Sequence, residues 1–92
     1  MYAAVIHTVK DGKGWDEVLR SFDPASIAEG FELLATGTSE DTARTICLWR
    51  APSVEALQKM LDEGYGELAV NDCFGVPDHY AYVAGQQQTA SV

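Results

Sequence analysis

The chain reads as an α+β domain in which four strands and two helices follow one another in the order β-α-β-β-α-β. Three observations lead there. The apolar residues change their spacing from two to about 3.6 and back along the chain, glycine or proline falls at the changes, and the two middle strand-like runs are joined by only three polar residues. That order is the split β-α-β arrangement called ferredoxin-like, an antiparallel sheet with two helices on one face.

Residues 2–9, YAAVIHTV, are apolar and end at the turn signal Lys10-Asp11-Gly12, which makes a first strand. From Gly14 the spacing is helical: Trp15, Val18, Leu19 and Phe22 fall on one stripe, and Asp16 and Glu17 lie in the first turn, where the helix dipole favours anions. Asp23-Pro24 ends this helix, and residues 25–30 are expected to add one short turn. Residues 31–38 and 42–51 are strand-like, and Ser39-Glu40-Asp41 between them is short enough for a hairpin. Pro52 stops the second of these. Ser53 then suits the N-cap of a helix that carries Val54, Leu57 and Leu61 on one stripe and ends near Gly64. Residues 70–76 and 78–84, separated by Pro77, both look like strands, so either one, or a bent strand made of both, completes the sheet. Residues 1–85 therefore form a single domain, and the polar stretch 86–92 is expected to be a mobile tail.

Composition removes several classes of function. With 14 acidic against 6 basic residues the net charge is -8, a field that repels nucleic-acid backbones and anionic lipid surfaces. No apolar run approaches the roughly 18 residues that a membrane span needs. Lys10 and Lys13 follow the first apolar segment, the reverse of a secretory leader, and Cys47 and Cys73 form no paired motif. A cytoplasmic protein with two free thiols is expected.

Alternation assigns the strand faces. Ala3, Val5, His7 and Val9 share one side of the first strand, and Ala4 and Ile6 share the other; Thr45, Cys47 and Trp49 oppose Ile46 and Leu48. Both sides are largely apolar, yet two helices cover only one. A second copy of the chain is the simplest cover for the other, giving a homodimer of the dimeric α/β-barrel type. Cys47 and Trp49 are expected on the face that a second subunit or a ligand covers.

The block 46–72, ICLWRAPSVEALQKMLDEGYGELAVND, resembles a family of small bacterial ferredoxin-like proteins, long catalogued as a domain of unknown function, that includes a nickel-binding member. Cys47, Ala51-Pro52, Glu55 and Gly64-Tyr65 match its pattern, and His7 stands where that family's opening strand ends in histidine. The resemblance implies a site for nickel or another transition metal built on His7 and Cys47. It also shows a departure: Met60 stands where family members often carry a histidine, and a thioether is a poor substitute for imidazole toward nickel(II) or zinc.

Several side chains are candidates for chemistry. His7 suits a metal ligand or a general base, because its ordinary pKa lies near neutrality; the structural alternative is a core-edge histidine bonded to backbone. Cys47 is a thiolate ligand, a nucleophile next to His7, or a small buried hydrophobe. Trp49 either stacks on a ligand or supplies interface area, and Met60, also a candidate ligand contact, is expected to pack under the sheet as a flexible filler. His79, next to Asp78, is a third candidate for a metal, although neighbouring strand residues point to opposite faces. Tyr80 shares a face with Tyr82 and would line a pocket or an interface. The acidic residues Asp62, Glu63 and Glu67 read as a solvated helix end, and no P-loop, dinucleotide fingerprint, H-E-x-x-H or G-x-S-x-G occurs.

Two functions follow as expectations. One is a small homodimeric protein that binds a transition metal or a small ligand near His7 and Cys47. The other is a cofactor-free monooxygenase or isomerase of the dimeric α/β-barrel type, acting on an aromatic substrate with His7 as acid or base. An RNA-recognition module shares the topology but needs aromatics framed by Lys and Arg on its central strands, which TARTICLW lacks.

Overall fold

A computed structural model of the chain describes residues 1–85; the tail expected at 86–92 lies outside the described residues. The elements are β1 (Tyr2–Val9), α1 (Gly12–Ser21), a 3₁₀ turn (Pro24–Ser26), β2 (Glu32–Thr38), β3 (Arg44–Arg50), α2 (Val54–Tyr65), β4 (Ala69–Val76) and a second 3₁₀ turn (Asp78–Tyr80). The strands form one sheet in the order β2-β3-β1-β4 with every pair antiparallel. This α+β arrangement is compatible with the ferredoxin-like order expected from the sequence.

Local chemistry sets the helix ends. Asp11 caps α1 by accepting from the Gly14 amide at 3.1 Å, so the helix starts earlier than the apolar stripe alone suggests. A Cβ on Gly14 would stand only 2.7 Å from a Leu68 methyl and 2.8 Å from the Asp11 carboxylate, so a side chain there would have to displace both, the capping carboxylate included. Ser53 caps α2 as expected, accepting from the Ala56 amide at 3.0 Å. The last strand is 69–76, paired with β1 along its whole length, and the alternative at 78–84 is not a strand. Pro77 opens a 3₁₀ turn there: the Tyr80 amide donates to its carbonyl at 2.9 Å, and Ala81 donates to Asp78 at 3.2 Å.

Ala3, Val5, Trp49, Ala51, Leu57 and Leu61 make the buried core, where the inward stripe of α2 meets the inward faces of β1 and β3. The strand faces follow the alternation read from the sequence. One part of that reading is corrected: Cys47 and Trp49 lie on the helix-covered side together with Val5 and His7, not on the side left for a second subunit. The other side is open. Ile46 is 61% exposed and Phe74 45%, and with Ala4, Ile6, Ala35 and Leu48 they line an apolar groove.

A β-bulge at Leu34 adjusts β2. Leu33 pairs with Trp49 and Ala35 with Leu48, so Leu34 is the extra residue between them. Leu33, Thr36 and Thr38 consequently all share the face of Trp49, Cys47 and Thr45. Among the described residues no helix is long and apolar enough to cross a membrane.

Candidate functional site

A cavity of about 300 Å³ lies between the helices and the sheet. That is the lower end of the range for small-molecule sites. His7, Thr45, Cys47 and Trp49 come from the sheet, Trp15 from α1, and Met60 and Tyr65 from α2. Leu19 and Phe22 line it as well and are partly open to solvent, which places its mouth beside the end of α1. Both tryptophans of the chain border this space.

His7 is 2% exposed and held from behind. Its Nδ1 lies 2.6 Å from Asn71 Oδ1, across the β1–β4 pair in which the two residues face each other. Asn71 Nδ2 in turn donates to Asp62 Oδ1 at 3.1 Å. Gln58 joins α2 to β4 around them: its amide donates to the Asn71 carbonyl at 2.5 Å and to both Asp62 oxygens, and its oxygen accepts from the Cys73 amide at 3.2 Å. Asp62 is exposed at the end of α2, as its reading as part of a solvated helix end expected, and it also reaches back to hold the Asn71 amide.

The front of the imidazole faces the cavity. Trp15 covers it with ring centres 4.9 Å apart and a tilt of 45°. The indole is itself fixed, because Nε1 donates to Thr45 Oγ1 at 2.9 Å and Thr45 shares a hydrogen bond of 2.9 Å with Thr38. Tyr65 meets Trp15 edge to face at 6.1 Å. His7 Nε2 has no hydrogen-bond partner among the described residues. Burial pushes the His7 pKa below 6.5, opposed in part by the Asn71 hydrogen bond, so the ring is neutral at neutral pH and can accept a proton.

The thiols have a different character. Burial pushes the Cys47 pKa up, with the Thr36 hydroxyl and the Trp49 indole countering in part; the thiol donates to Thr36 Oγ1 at 3.4 Å. Burial, with Asp62, Asp72 and Cys47 adding to it, pushes Cys73 up to about 11. Neither is activated as a nucleophile. Trp49 Nε1 is the one side-chain nitrogen or oxygen among the described residues that is itself sealed from solvent and has no hydrogen-bond partner, and weak interaction with the Cys47 sulfur is what it has in place of one.

The structure thus brings together His7, Cys47, Trp49 and Met60 of the residues singled out from sequence, and leaves two outside. Tyr80 is 77% exposed on the second 3₁₀ turn and lines neither the cavity nor the groove. His79 is exposed beside it, its ring 4.1 Å from the Tyr80 ring. Among the described residues no three His, Cys, Asp or Glu side chains gather where a metal ion could be held. The donors on the cavity wall, one imidazole, one thiol of raised pKa and the weak thioether of Met60, do not fit a nickel or zinc centre, which wants three or four strong ligands.

Sequence reasoning missed the contacts that Trp15, Thr45, Asn71 and Asp62 make around His7. The available signal was Asn71, a polar residue two places from Ala69 and Cys73 on what proves an inward face. No protein-family model, curated protein or solved structure matches this chain.

Proposed function

We propose that the chain binds a flat, largely apolar aromatic molecule between its helices and its sheet, and that His7 exchanges a proton with it as general base. This is the chemistry of a cofactor-free isomerase or monooxygenase of the dimeric α/β-barrel type. The observation that carries the reading is the free Nε2 of a neutral, buried imidazole bordering an aromatic-lined cavity.

His7 would take a proton from an acidic C–H or O–H of the ligand, leaving the charge spread over the ligand's π system. The imidazolium so formed would lie against Trp15, whose ring favours a neighbouring cation. Returning the proton to a different carbon completes an isomerisation with no co-reactant. The monooxygenase version needs dioxygen as co-substrate, so isomerisation is the simpler member of the pair. The mainly apolar wall keeps the base from bulk water. A second copy of the chain covers the open sheet face around Ile46 and Phe74, completing the assembly. The metal-binding alternative is set aside on the donor count.

Tryptophan emission reports binding directly, since both tryptophans border the cavity. Naphthols and the enolisable ketone 2-tetralone should quench it saturably. Proton NMR in deuterium oxide should then show the protein speeding exchange of the tetralone α-hydrogens, with the enhancement falling by about a hundredfold or more in His7→Gln. Quenching with no exchange would refute the base role. Absence of quenching across such ligands would refute the aromatic site.

A further inference from the structure

We infer that Asp62 and Asn71 are positioning residues that hold His7 as its Nδ1–H tautomer and so present the basic nitrogen, Nε2, to the cavity. The use of that nitrogen rests on the proton-transfer reading above; the tautomer itself does not.

The inference comes from donors and acceptors alone. An ionised carboxylate only accepts, so the 3.1 Å contact with Asp62 Oδ1 must be made by the NH₂ end of the Asn71 amide. The other end, Oδ1, is then turned to His7, and an amide oxygen also only accepts. A bond of 2.6 Å to His7 Nδ1 therefore requires the hydrogen to sit on Nδ1, leaving Nε2 with a lone pair. A neutral histidine without such a partner favours the opposite form, which would offer the cavity a donor instead of a base. Asp62 is kept in place by the Gln58 amide, at 3.2 and 3.1 Å, and Gln58 is tied to both β4 residues on either side of Asp72 through the Asn71 carbonyl and the Cys73 amide. Cys47 and Tyr65 are the other titratable side chains on the cavity wall, and no bond to either competes for the ring. The relay is built from residues 7, 62 and 71, on three different elements, and exists only in the folded chain.

The test is a two-bond proton–nitrogen spectrum of protein labelled with nitrogen-15 at histidine, taken above the titration range. The chain has two histidines, so a His79→Gln variant assigns His7. We expect the His7 pattern of a protonated Nδ1 and an unprotonated Nε2. Asp62 is exposed, so Asp62→Ala should keep the fold, checked by near-ultraviolet circular dichroism, while moving most of the His7 signal toward the Nε2–H pattern. Adding Asn71→Asp, whose carboxylate can only accept, should restore Nδ1–H without Asp62. A wild-type Nε2–H pattern, or an Asp62→Ala spectrum identical to wild type, would overturn the inference. Because the spectrum reads the relay with no ligand present, failure of the exchange assay with the Nδ1–H form intact would count against the base role alone.

Discussion

Thr45→Val isolates the hydrogen bond that fixes Trp15 over His7. Thr45 is 1% exposed, accepts from Trp15 Nε1 at 2.9 Å and bonds to Thr38. Valine keeps the β-branched shape a strand prefers, so packing and backbone change little and only the hydroxyl is lost. Thr38 is exposed and turns to water at small cost. The indole N–H is buried and has no such escape, which costs about 1–3 kcal/mol, with ~2 kcal/mol the central value. For a domain this small the urea slope is near 1 kcal/mol/M, so the midpoint should fall by roughly 2 M with the slope unchanged. Trp15→Phe supplies the control, since removing the indole removes the stranded donor. In a double-mutant cycle the two changes should couple by about 1 kcal/mol or more. A midpoint within roughly 0.3 M of wild type, or strict additivity in the cycle, would refute the assignment of Thr45 as the anchor of the indole.

Burial holds the folded-state pKa of His7 below 6.5, so as pH falls the unfolded chain takes up this proton first; the neutral ring is favourable above 6.5 and folding weakens as pH drops through 6.5 toward the folded value. The difference in urea midpoint between wild type and His7→Gln should therefore shrink or reverse between neutral and mildly acidic pH, and a constant difference would count against a buried neutral His7. With Cys73 pushed to about 11 from 9.0, its thiolate is some hundredfold scarcer than that of an ordinary thiol, and iodoacetamide should label it about a hundredfold more slowly at neutral pH, followed by mass spectrometry. Rapid labelling would show an activated thiol. Ile46→Lys on the open sheet face should convert a dimer to a monomer in sedimentation velocity while leaving the circular dichroism unchanged; a monomeric wild type would refute the dimer.

The parts of the fold legible in the sequence are those where periodicity and local chemistry agree. Alternation in 2–9 grouped His7 with Ala3 and Val5, alternation in 45–49 grouped Cys47 with Trp49, and Pro52-Ser53 marked the start of α2 to the residue; the β1–β3 register joins the two groups. Which face the helices would choose was not legible, because Ile46 and Leu48 are as apolar as Cys47 and Trp49, and alternation alone does not distinguish inside from outside. The last strand was ambiguous for a related reason: 78–84 has the same apolar character as 70–76, and only pairing with β1 separates them. The relay behind His7 spans 64 residues from Asn71, and one-dimensional patterns carry no information about such a meeting. The second role of Asp62 was hidden by its neighbours, since an exposed carboxylate beside Glu63 at the end of a helix gives no sign of the Asn71 amide it holds.

The doubled leucine in β2 has a consequence for how this chain can change over generations. Losing one residue from a strand normally turns every later side chain over, exchanging its inner row for its outer one. Here Leu34 is the unpaired member of the bulge, with Leu33 already opposite Trp49 and Ala35 already opposite Leu48. Deleting Leu34 would straighten the strand and leave Leu33, Thr36 and Thr38 where they are. The alternation of the strand thus tolerates loss of a single leucine at this place, and the cavity face is compatible with two strand lengths. A version of the strand one residue shorter keeps the threonine hydroxyls on the cavity side only if the missing residue is taken from this doublet.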